Sequence, residues 1–564
     1  MAIGDIAGFS PEAFAKMDSE RHKAHGTNGR NSMCGLFGSL GNALALPEFR
    51  SSFELLRHRG PDDTEVVQPD GEVTLAFHRL AIMDPSHAGD QPFCDNVQQV
   101  WLMCNGEVYN YPELYQRYQG RYPFASHSDC EVILPLYEEL GIAETARQLD
   151  AEFALIIWDQ KLRKLFAARD PIGIRPLFYG YGAQDGKIMF ASEMKVLSPL
   201  CTEVHAFPPG HYYDGDGHFI RYRDIARSER FNTDPLDKTL LEIRERLIEA
   251  VRKRLVADVP VGYLLSGGLD SSLVCGIAAH VLNKPLITYA VGLDQSPIDL
   301  PYARKVADFI HSDHHEVRFN RDDTLGCVDE VIWNTESWDI TTIRASIGMY
   351  LVCRHIHRHS SIKVLLTGEV SDEIFGYKYT DFAPDGAAFQ QESVKRIAEL
   401  YMYDVLRADR CISAHSLEAR VPFADLDFVS YCMAIPPELK MNTHNMGKYL
   451  LRKAFDGMHI LPDEILWREK AAFSDAVGHS MVDYLKAHAE TLYNDADLLA
   501  AQEKYPFATP FTKESLWYRD VFERFYPGRA GLIGDYWMPN KTWQGCDVKD
   551  PSARVLANYG NSGL

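Results

Sequence analysis

Between Cys34 and about Asp224 the chain runs in short apolar stretches broken by turn residues: EVTLAFHRLAIMD, QVWLMCNGEVYN, FALIIWD, KLFAARD and IMFASEM. Runs of this length and spacing predict packed antiparallel strands. Between them, SDCEVILPLYEELG places Val132, Ile133, Leu136 and Leu140 at helical spacing, which predicts a helix with one buried face. The first region is therefore a mixed α and β domain with strand-rich layers.

The polar stretch RSERFNTDPLDKTL, residues 227–240, contains Pro235 and predicts a linker, followed by an amphipathic helix in LLEIRERLIEAVRKRLV. The pattern then changes. VGYLLSGG, ITYAVGL and KVLLTGE are apolar runs ending in glycine-bearing loops and separated by helical stretches, as parallel strands with crossover helices are. The last third is helical in pattern to about residue 525, and the final stretch is loop-rich.

A chain of 564 residues with 46% hydrophobic content can bury more than one core. Its formal charge of −21 speaks against a broad basic surface for nucleic acid or anionic membrane, and favours a small-molecule enzyme. The 11 cysteines include no C-x-x-C pair, so a zinc site or disulfide framework is not expected and a reducing, cytoplasmic setting is the default. No run of 18 apolar residues occurs. The residues before Met33 lack the apolar segment of a secretory signal and read as a poorly ordered polar leader, which leaves an organelle-targeting role open.

Candidate chemistry centres first on SGGLDSS, where Ser266, Gly267, Gly268, Leu269, Asp270, Ser271 and Ser272 lie between an apolar strand and an apolar helix. Glycines let the backbone approach an anion, and the first helical N–H groups and serine hydroxyls donate to phosphate oxygens. No lysine follows the glycines, so the loop is not of the G-x-x-x-x-G-K-[ST] kind. It resembles the pyrophosphate loop of the PP-loop ATPases, which form adenylates. Asp270 is a candidate Mg²⁺ ligand, and LLTGEVSDEIFGY adds Glu369, Asp372 and Glu373 after a second strand, where open α/β sheets bind ligands.

Taken together, the motifs resemble those of the glutamine-hydrolysing asparagine synthetases from Met33 to about Gly534. MCGLFG, RHRGPDD, FHRLAIMD, NGEVYNYPEL, HSDCEVIL, ARDPIGIRPLFYG, ASEMKVL and FPPGHYY follow the order of class II glutamine amidotransferases. LLSGGLDSS, TTIRAS, TGEVSDEIFG, AHSLEARVPF and WREKAAFSDAVG follow the order of the synthetase domain. The resemblance implies an N-terminal-nucleophile αββα sandwich over residues 34–226, a linker at 227–240, a PP-loop α/β domain with a parallel sheet and helical C-terminal part over 241–535, and a tail at 536–564.

In such a family Cys34 is the nucleophile that attacks glutamine's side-chain amide, and Asn105 and Gly106 form the oxyanion hole. Glutamine is held by Arg79 through its α-carboxylate, by the Leu80, Ala81, Ile82 and Met83 segment, and by Glu107 and Asp129 through its α-ammonium. ATP lies against Leu264, Val291, Thr367 and Gly368, with Ser266 to Ser272 around the pyrophosphate. Lys470 neutralises charge as the adenylate forms, Glu369 supports that step and takes a proton from ammonia, and Thr341 and Arg344 bind aspartate. Mg²⁺ is expected at Asp270 and Asp372. The partners implied are glutamine, aspartate and ATP, with a homodimer as a family expectation.

The implied reaction makes asparagine through β-aspartyl-AMP and releases glutamate, AMP and pyrophosphate. A related amide- or lactam-forming synthetase acting on another carboxylic acid, a retired enzyme serving as a sensor, and an ammonia-only synthetase remain alternatives. The last turns on Cys34: an internal cysteine has an amide nitrogen where an N-terminal one has a basic α-amine. Residues 1–33 are therefore expected to be absent from the active enzyme. Three positions depart from the family pattern: Val370 and Ala151 stand where glycine is usual, and Tyr377 follows Gly376 where a second glycine is common.

Overall fold

The computed structural model describes residues 34–295, 297–469 and 479–558. The leader before Cys34 and Lys470, with the rest of its AAFSDAVG segment, lie outside the described residues.

The first half contains strands β1 (Gly35–Leu40), β2 (Asp63–Val67), β3 (Val73–Arg79), β4 (Phe93–Cys94), β5 (Val100–Val108), β6 (Ala151–Asp159), β7 (Lys164–Arg169), β8 (Phe178–Gly182), β9 (Ile188–Ala191), β10 (Cys201–Ala206), β11 (His211–Tyr213) and β12 (Phe219–Arg221). They form two six-stranded sheets, ordered β10-β8-β9-β1-β3-β2 and β12-β11-β7-β6-β5-β4, with antiparallel pairing throughout. The sheets stack face to face with helices outside them, the αββα sandwich.

β6 shows why several of these strands read as unbroken apolar runs. All nine of its residues are buried. Alternate side chains point to opposite faces: Ala154, Ile156 and Trp158 enter the core between the sheets with Leu75 and Phe190, whereas Phe153, Leu155 and Ile157 pack with Ile133 and Leu136 on the outer side. The predicted helix spans Ile133–Gln148, but Val132 belongs to the 3-10 turn Asp129–Val132 that precedes it. Leu140 is only half-buried, because Gly141, at φ +72°, breaks the helix at the next residue.

In the second half the helix Leu236–Lys253 begins inside the segment read as linker, directly after Pro235, whose fixed φ suits a helix entrance. Strands β13 (Val261–Leu264), β14 (Ile287–Leu293), β15 (Asp313–Phe319), β16 (Val364–Leu366) and β17 (Glu418–Arg420) form a parallel sheet ordered β15-β14-β13-β16-β17. Successive strands are added on one side of β13 up to β15 and then on the other side from β16, and a crevice opens beyond the carboxyl ends of the pair where this order switches.

The halves are joined by ion pairs, the first two of those that follow buried and the third half-buried. Arg254 Nε meets Glu152 Oε1 at 2.9 Å, Arg59 Nη1 meets Asp409 Oδ2 at 2.9 Å, and Lys363 Nζ meets Asp62 Oδ2 at 2.8 Å. Among the described residues no helix is long and apolar enough to cross a membrane.

Candidate active sites

Cys34 lies just ahead of β1, packed against the core between the two sheets. Its thiol accepts the Leu80 N–H at 3.3 Å and faces the Leu80 carbonyl at 3.6 Å. Burial pushes the Cys34 thiol up to about 12, and the bond from Leu80 and the nearby Arg79 charge only partly offset this. Among the described residues no side-chain base bonds to the sulfur, so the chemistry needs a proton acceptor that the neighbouring side chains do not supply.

The Leu80 to Met83 segment that flanks the thiol is fastened from two directions. Arg79 is buried and sends Nη1 to the Ser86 carbonyl at 2.7 Å and to Asp90 at 2.5 Å, and Nη2 to the carbonyls of Met83 and Asp84. A Cβ at Gly89 would crowd both the Arg79 guanidinium, at 2.2 Å, and the Asp84 carbonyl, at 2.9 Å. From the other half, Lys363 donates to Asp62 and to the Ala81 carbonyl, and Asp258 accepts the Asp84 N–H at 2.9 Å.

On β5, Asn105 is buried, and neither its side-chain nitrogen nor its oxygen has a hydrogen-bond partner. An amide buried in this state costs about 1–3 kcal/mol, which a structure tolerates where a ligand completes it. Gln91 brackets the preceding peptide, accepting from Cys104 N at 2.7 Å and donating to Cys104 O at 3.1 Å, so the strand is held in register behind Asn105. Gly106 allows no side chain: a Cβ would lie 2.1 Å from the Glu152 carbonyl.

Glu107 and Asp129 follow. Asp129 accepts the Val108 N–H at 2.6 Å, and burial pushes its carboxyl up to about 6. Burial likewise raises Glu107 well above the usual carboxylate range, opposed by Arg420, whose Nη2 lies 2.8 Å from Glu107 Oε1.

The second site is a cleft of about 1770 Å³, counting its open mouth, at the carboxyl ends of β13 and β16. Leu264, Ser266, Gly268, Leu269, Asp270, Ser271, Val291, Thr367 and Gly368 line it, as do Thr341, Arg344, Glu369 and Asp372. Gly267 turns the loop at φ +74°, where a Cβ would strike Ala303 N at 2.4 Å, and Ser272 is buried behind it with an unpartnered hydroxyl. The helix Leu269–Gly276 has no side-chain cap at its amino end, which leaves its first N–H groups facing the cleft. Gly368 brings the β16 loop against this one; a Cβ there would lie 2.8 Å from Ser271 N.

The helix Ile340–His359, capped by Asp339 through Thr342 N at 2.7 Å, carries Thr341 and Arg344 to the cleft. Thr341 has a buried hydroxyl without a partner. Arg344 is engaged by Glu514 and Asp550. Glu369 accepts from Arg407 Nη2 at 2.7 Å, and the same nitrogen reaches Asp404 at 2.9 Å. Val370 takes φ +79°, the left-handed region that the family's usual glycine adopts without cost.

Four residues of consequence carried no assigned role in the sequence reading. Lys448 Nζ sits between Asp270 Oδ1 at 2.7 Å and Asp372 Oδ1 at 2.6 Å, the two carboxylates expected to hold Mg²⁺. Among the described residues no group of three or more His, Cys, Asp or Glu side chains is arranged to hold a metal ion. Arg407 orients Glu369, and Arg420 opposes Glu107. Arg59, in RHRGPDD, donates to the Cys34 carbonyl at 3.1 Å while pairing with Glu193 and Asp409. Arg59 and Arg420 stand in motifs that were legible, but their partners were not.

A glutamine amidotransferase domain family matches residues 33–213, and an asparagine synthase family matches residues 242–387 and 381–548. The chain is 42% identical over 535 residues to the probable glutamine-hydrolysing asparagine synthetase of Schizosaccharomyces pombe, covering 89% of this chain and 94% of that protein. It is 40% identical over 564 residues to the asparagine synthetase of Homo sapiens, covering 93% of this chain and 99% of that protein. The Cricetulus griseus protein gives 40% over 565 residues, with the same coverage. With both centres in place and the likeness running through both halves, the chain belongs to the glutamine-hydrolysing asparagine synthetases.

Proposed function

We propose that the protein transfers the amide nitrogen of glutamine to aspartate in two half-reactions at two separate centres. The observation that carries this reading is that one chain holds both the Cys34 centre, with its unpartnered Asn105 amide, and the phosphate-loop cleft.

At the first centre, the Cys34 sulfur attacks the side-chain carbonyl of glutamine. The Asn105 amide nitrogen and the Gly106 N–H donate to the oxyanion, ammonia leaves, and water releases glutamate from the thioester. Asp129 and Glu107 attract the substrate's ammonium. The proton acceptor is the α-amine of Cys34 itself, whose ordinary pKa of about 7.7 to 8.0 suits the task, so the working enzyme begins at Cys34.

At the second centre, the β-carboxylate of aspartate attacks the α-phosphorus of ATP and pyrophosphate leaves, forming β-aspartyl-AMP. Ammonia then attacks the acyl carbon, Glu369 accepts a proton, and AMP departs. Ser266, Ser271 and the helix amino end receive the pyrophosphate, and Lys470 balances charge on the reacting phosphate. Asp270 and Asp372 each present an oxygen to one cationic atom, so this donor set suits Mg²⁺ bound together with pyrophosphate oxygens. When bound, Mg²⁺ would draw charge from the phosphates.

The test is product stoichiometry with purified protein, glutamine, aspartate and ATP. Asparagine, glutamate, AMP and pyrophosphate in equal amounts are expected; ADP with phosphate, or stronger turnover of another acid, would refute the reading. Cys34→Ala should abolish the glutamine-dependent reaction and leave the ammonia-dependent one. Mass spectrometry of the amino-terminal peptide should find Cys34 first; an active glutaminase with Cys34 in an internal peptide bond would overturn the assigned base.

A further inference from the structure

Among the described residues beyond Tyr536 the one helical element is the 3-10 turn Ala553–Val555, yet the segment is closely held. Trp543, Cys546 and Leu556 are buried with Tyr379 and Phe389. Trp537 N donates to Asp339 at 2.8 Å, and Asn558 Nδ2 donates to the Lys378 carbonyl at 2.6 Å and to Asp381 at 2.9 Å. Trp537, Pro539, Pro551, Ser552 and Leu556 thereby form one wall of the synthetase cleft.

In that wall Asp550 meets Arg344. Arg344 Nη1 donates to Asp550 Oδ1 at 2.9 Å and Nη2 to Oδ2 at 3.4 Å, one carboxylate set against two guanidinium nitrogens. The other edge of the guanidinium, Nε and Nη2, is taken by Glu514 at 2.8 and 2.6 Å. The two partners differ in how they are mounted. Glu514 is buried on the helix Lys513–Phe525 and also accepts from the Tyr518 hydroxyl at 2.9 Å, so it is fixed. Asp550 lies on the loop that builds the wall; its side chain is 18% exposed against 3% for Arg344, and besides Arg344 it pairs with the half-exposed Lys486 at 2.5 Å and accepts the Ser552 N–H at 2.8 Å. Arg344 lines the cleft together with Pro551 and Ser552, the residues that directly follow Asp550.

We propose that Asp550 occupies, on Arg344, the place of the acceptor's α-carboxylate, so that the wall from Trp537 to Asn558 is a strap that the acceptor must displace. The proposal rests on the reading of Arg344 as an acceptor-binding residue. An acceptor then competes with an intramolecular carboxylate, and its apparent affinity is reduced by the fraction of molecules whose strap is open. The arrangement also selects for acceptors with two carboxylates. One must replace Asp550 at the guanidinium while the other remains free to attack phosphorus, which an amino dicarboxylate can do and a simple monocarboxylic acid cannot.

The experiment uses the full chain in the ammonia-dependent reaction, which bypasses the Cys34 centre. Asp550→Asn and Asp550→Ala should each lower the KM for aspartate about three- to tenfold, with the KM for ATP changed less than about twofold. In the unaltered protein, hydrogen exchange over residues 545–556 should rise when aspartate and a non-hydrolysable ATP analogue are added together. An aspartate KM that is unchanged or raised in both variants, or protection of that segment that does not fall with aspartate bound, would overturn the proposal. Arg344→Lys separates the two levels. If it raises the aspartate KM while the Asp550 variants do nothing, the strap fails and the acceptor reading stands. If it leaves the aspartate KM untouched, the acceptor reading fails, and the strap with it.

Discussion

Glu107 and Arg420 meet at 2.8 Å across the boundary between the two halves of the chain. The contact is placed so that one residue serves both centres. The Arg420 carbonyl accepts the N–H of Thr367, which lines the synthetase cleft, while its guanidinium faces the carboxylate that follows Asn105 and Gly106. Its Nε is held by Glu418 at 2.8 Å, and Nη1 donates to the carbonyls of Arg254 and Val256. A displacement at the end of β17 is thus felt by Glu107 through one rigid side chain.

Arg420→Met should be costly in a way that a surface arginine is not. It leaves Glu107 and Glu418 buried without their shared cation, and breaking one side of a buried pair costs about 3–5 kcal/mol. Denaturant unfolding would register the loss. Arg420→Lys should recover part of the stability but little of the geometry, because an ammonium cannot span Glu107, Glu418 and two carbonyls at once.

The pH profile of glutamine hydrolysis should carry the mark of Asp129. Its carboxyl is raised by burial to about 6, and it attracts the substrate's ammonium only when ionised. The α-amine base already loses activity as it protonates below about 7.7 to 8.0, so the ionisation of Asp129 should appear as a second break near pH 6, where the fall in kcat/KM steepens from tenfold to about a hundredfold per pH unit. Arg420 lowers the Asp129 value. Arg420→Met should therefore move this break to higher pH, and a break that stays in place would sever the two residues.

Asn105→Ala offers a case in which function and stability part company. Removing an oxyanion donor costs about 10²–10³ in rate. Both polar atoms of this amide are buried and unbonded, so their removal also lifts a desolvation penalty of about 1–3 kcal/mol, offset by the small void left behind. Glutaminase activity should collapse while the melting temperature holds or rises, and ammonia-dependent synthesis should persist.

The sequence was informative where the chemistry is local. The turn after β13, Gly106 beside Asn105 and the apolar run of β6 are each recognisable in a short string of residues, although the atoms that require them, such as the Ala303 N–H and the Glu152 carbonyl, come from far along the chain. Arg59, Lys448 and Asp550 were not recognisable in the same way. Arg59 and Asp409 are 350 positions apart, and Lys448 and Asp270 are 178 apart. A buried charge announces itself only through the partner that the fold delivers, and no periodicity records that pairing. The entry of the helix at Leu236 was missed for a different reason: polar composition signals exposure, and this helix exposes its first turn while Thr239 and Ile243 are already buried.

Val370 shows a departure from the family pattern acquiring a physical meaning. A β-branched residue at φ +79° carries strain of about 1–3 kcal/mol, although its buried side chain contributes about as much in the opposite direction. Val370→Gly should be close to neutral in stability. Val370→Ala keeps the strained backbone and loses the packing, so it should be the less stable of the two by about 1 kcal/mol, the reverse of the usual order of glycine and alanine. Paired thermal melts decide this, and an alanine variant as stable as the glycine one would remove strain from the account.

Lys448 gives the sharpest test of how the phosphate site is charged. Its ammonium bonds to Asp270 and Asp372 and to the Ser371 hydroxyl at 2.8 Å, and it is almost fully buried. Lys448→Met removes the ammonium that bonds both carboxylates. Aspartate-dependent AMP release should then fall by at least about 10², as expected for loss of a charged group in a phosphoryl site, while glutamine hydrolysis at Cys34 changes less than about twofold. The same substitution alters the response to Mg²⁺ without nucleotide. In the unaltered protein the metal must compete with an ammonium already in place, so millimolar Mg²⁺ should shift the melting temperature little. In the variant that competing ammonium is gone, and the shift should be clearly larger. Equal shifts in the two proteins would mean that Asp270 and Asp372 hold the lysine alone and that the metal belongs elsewhere in the cleft.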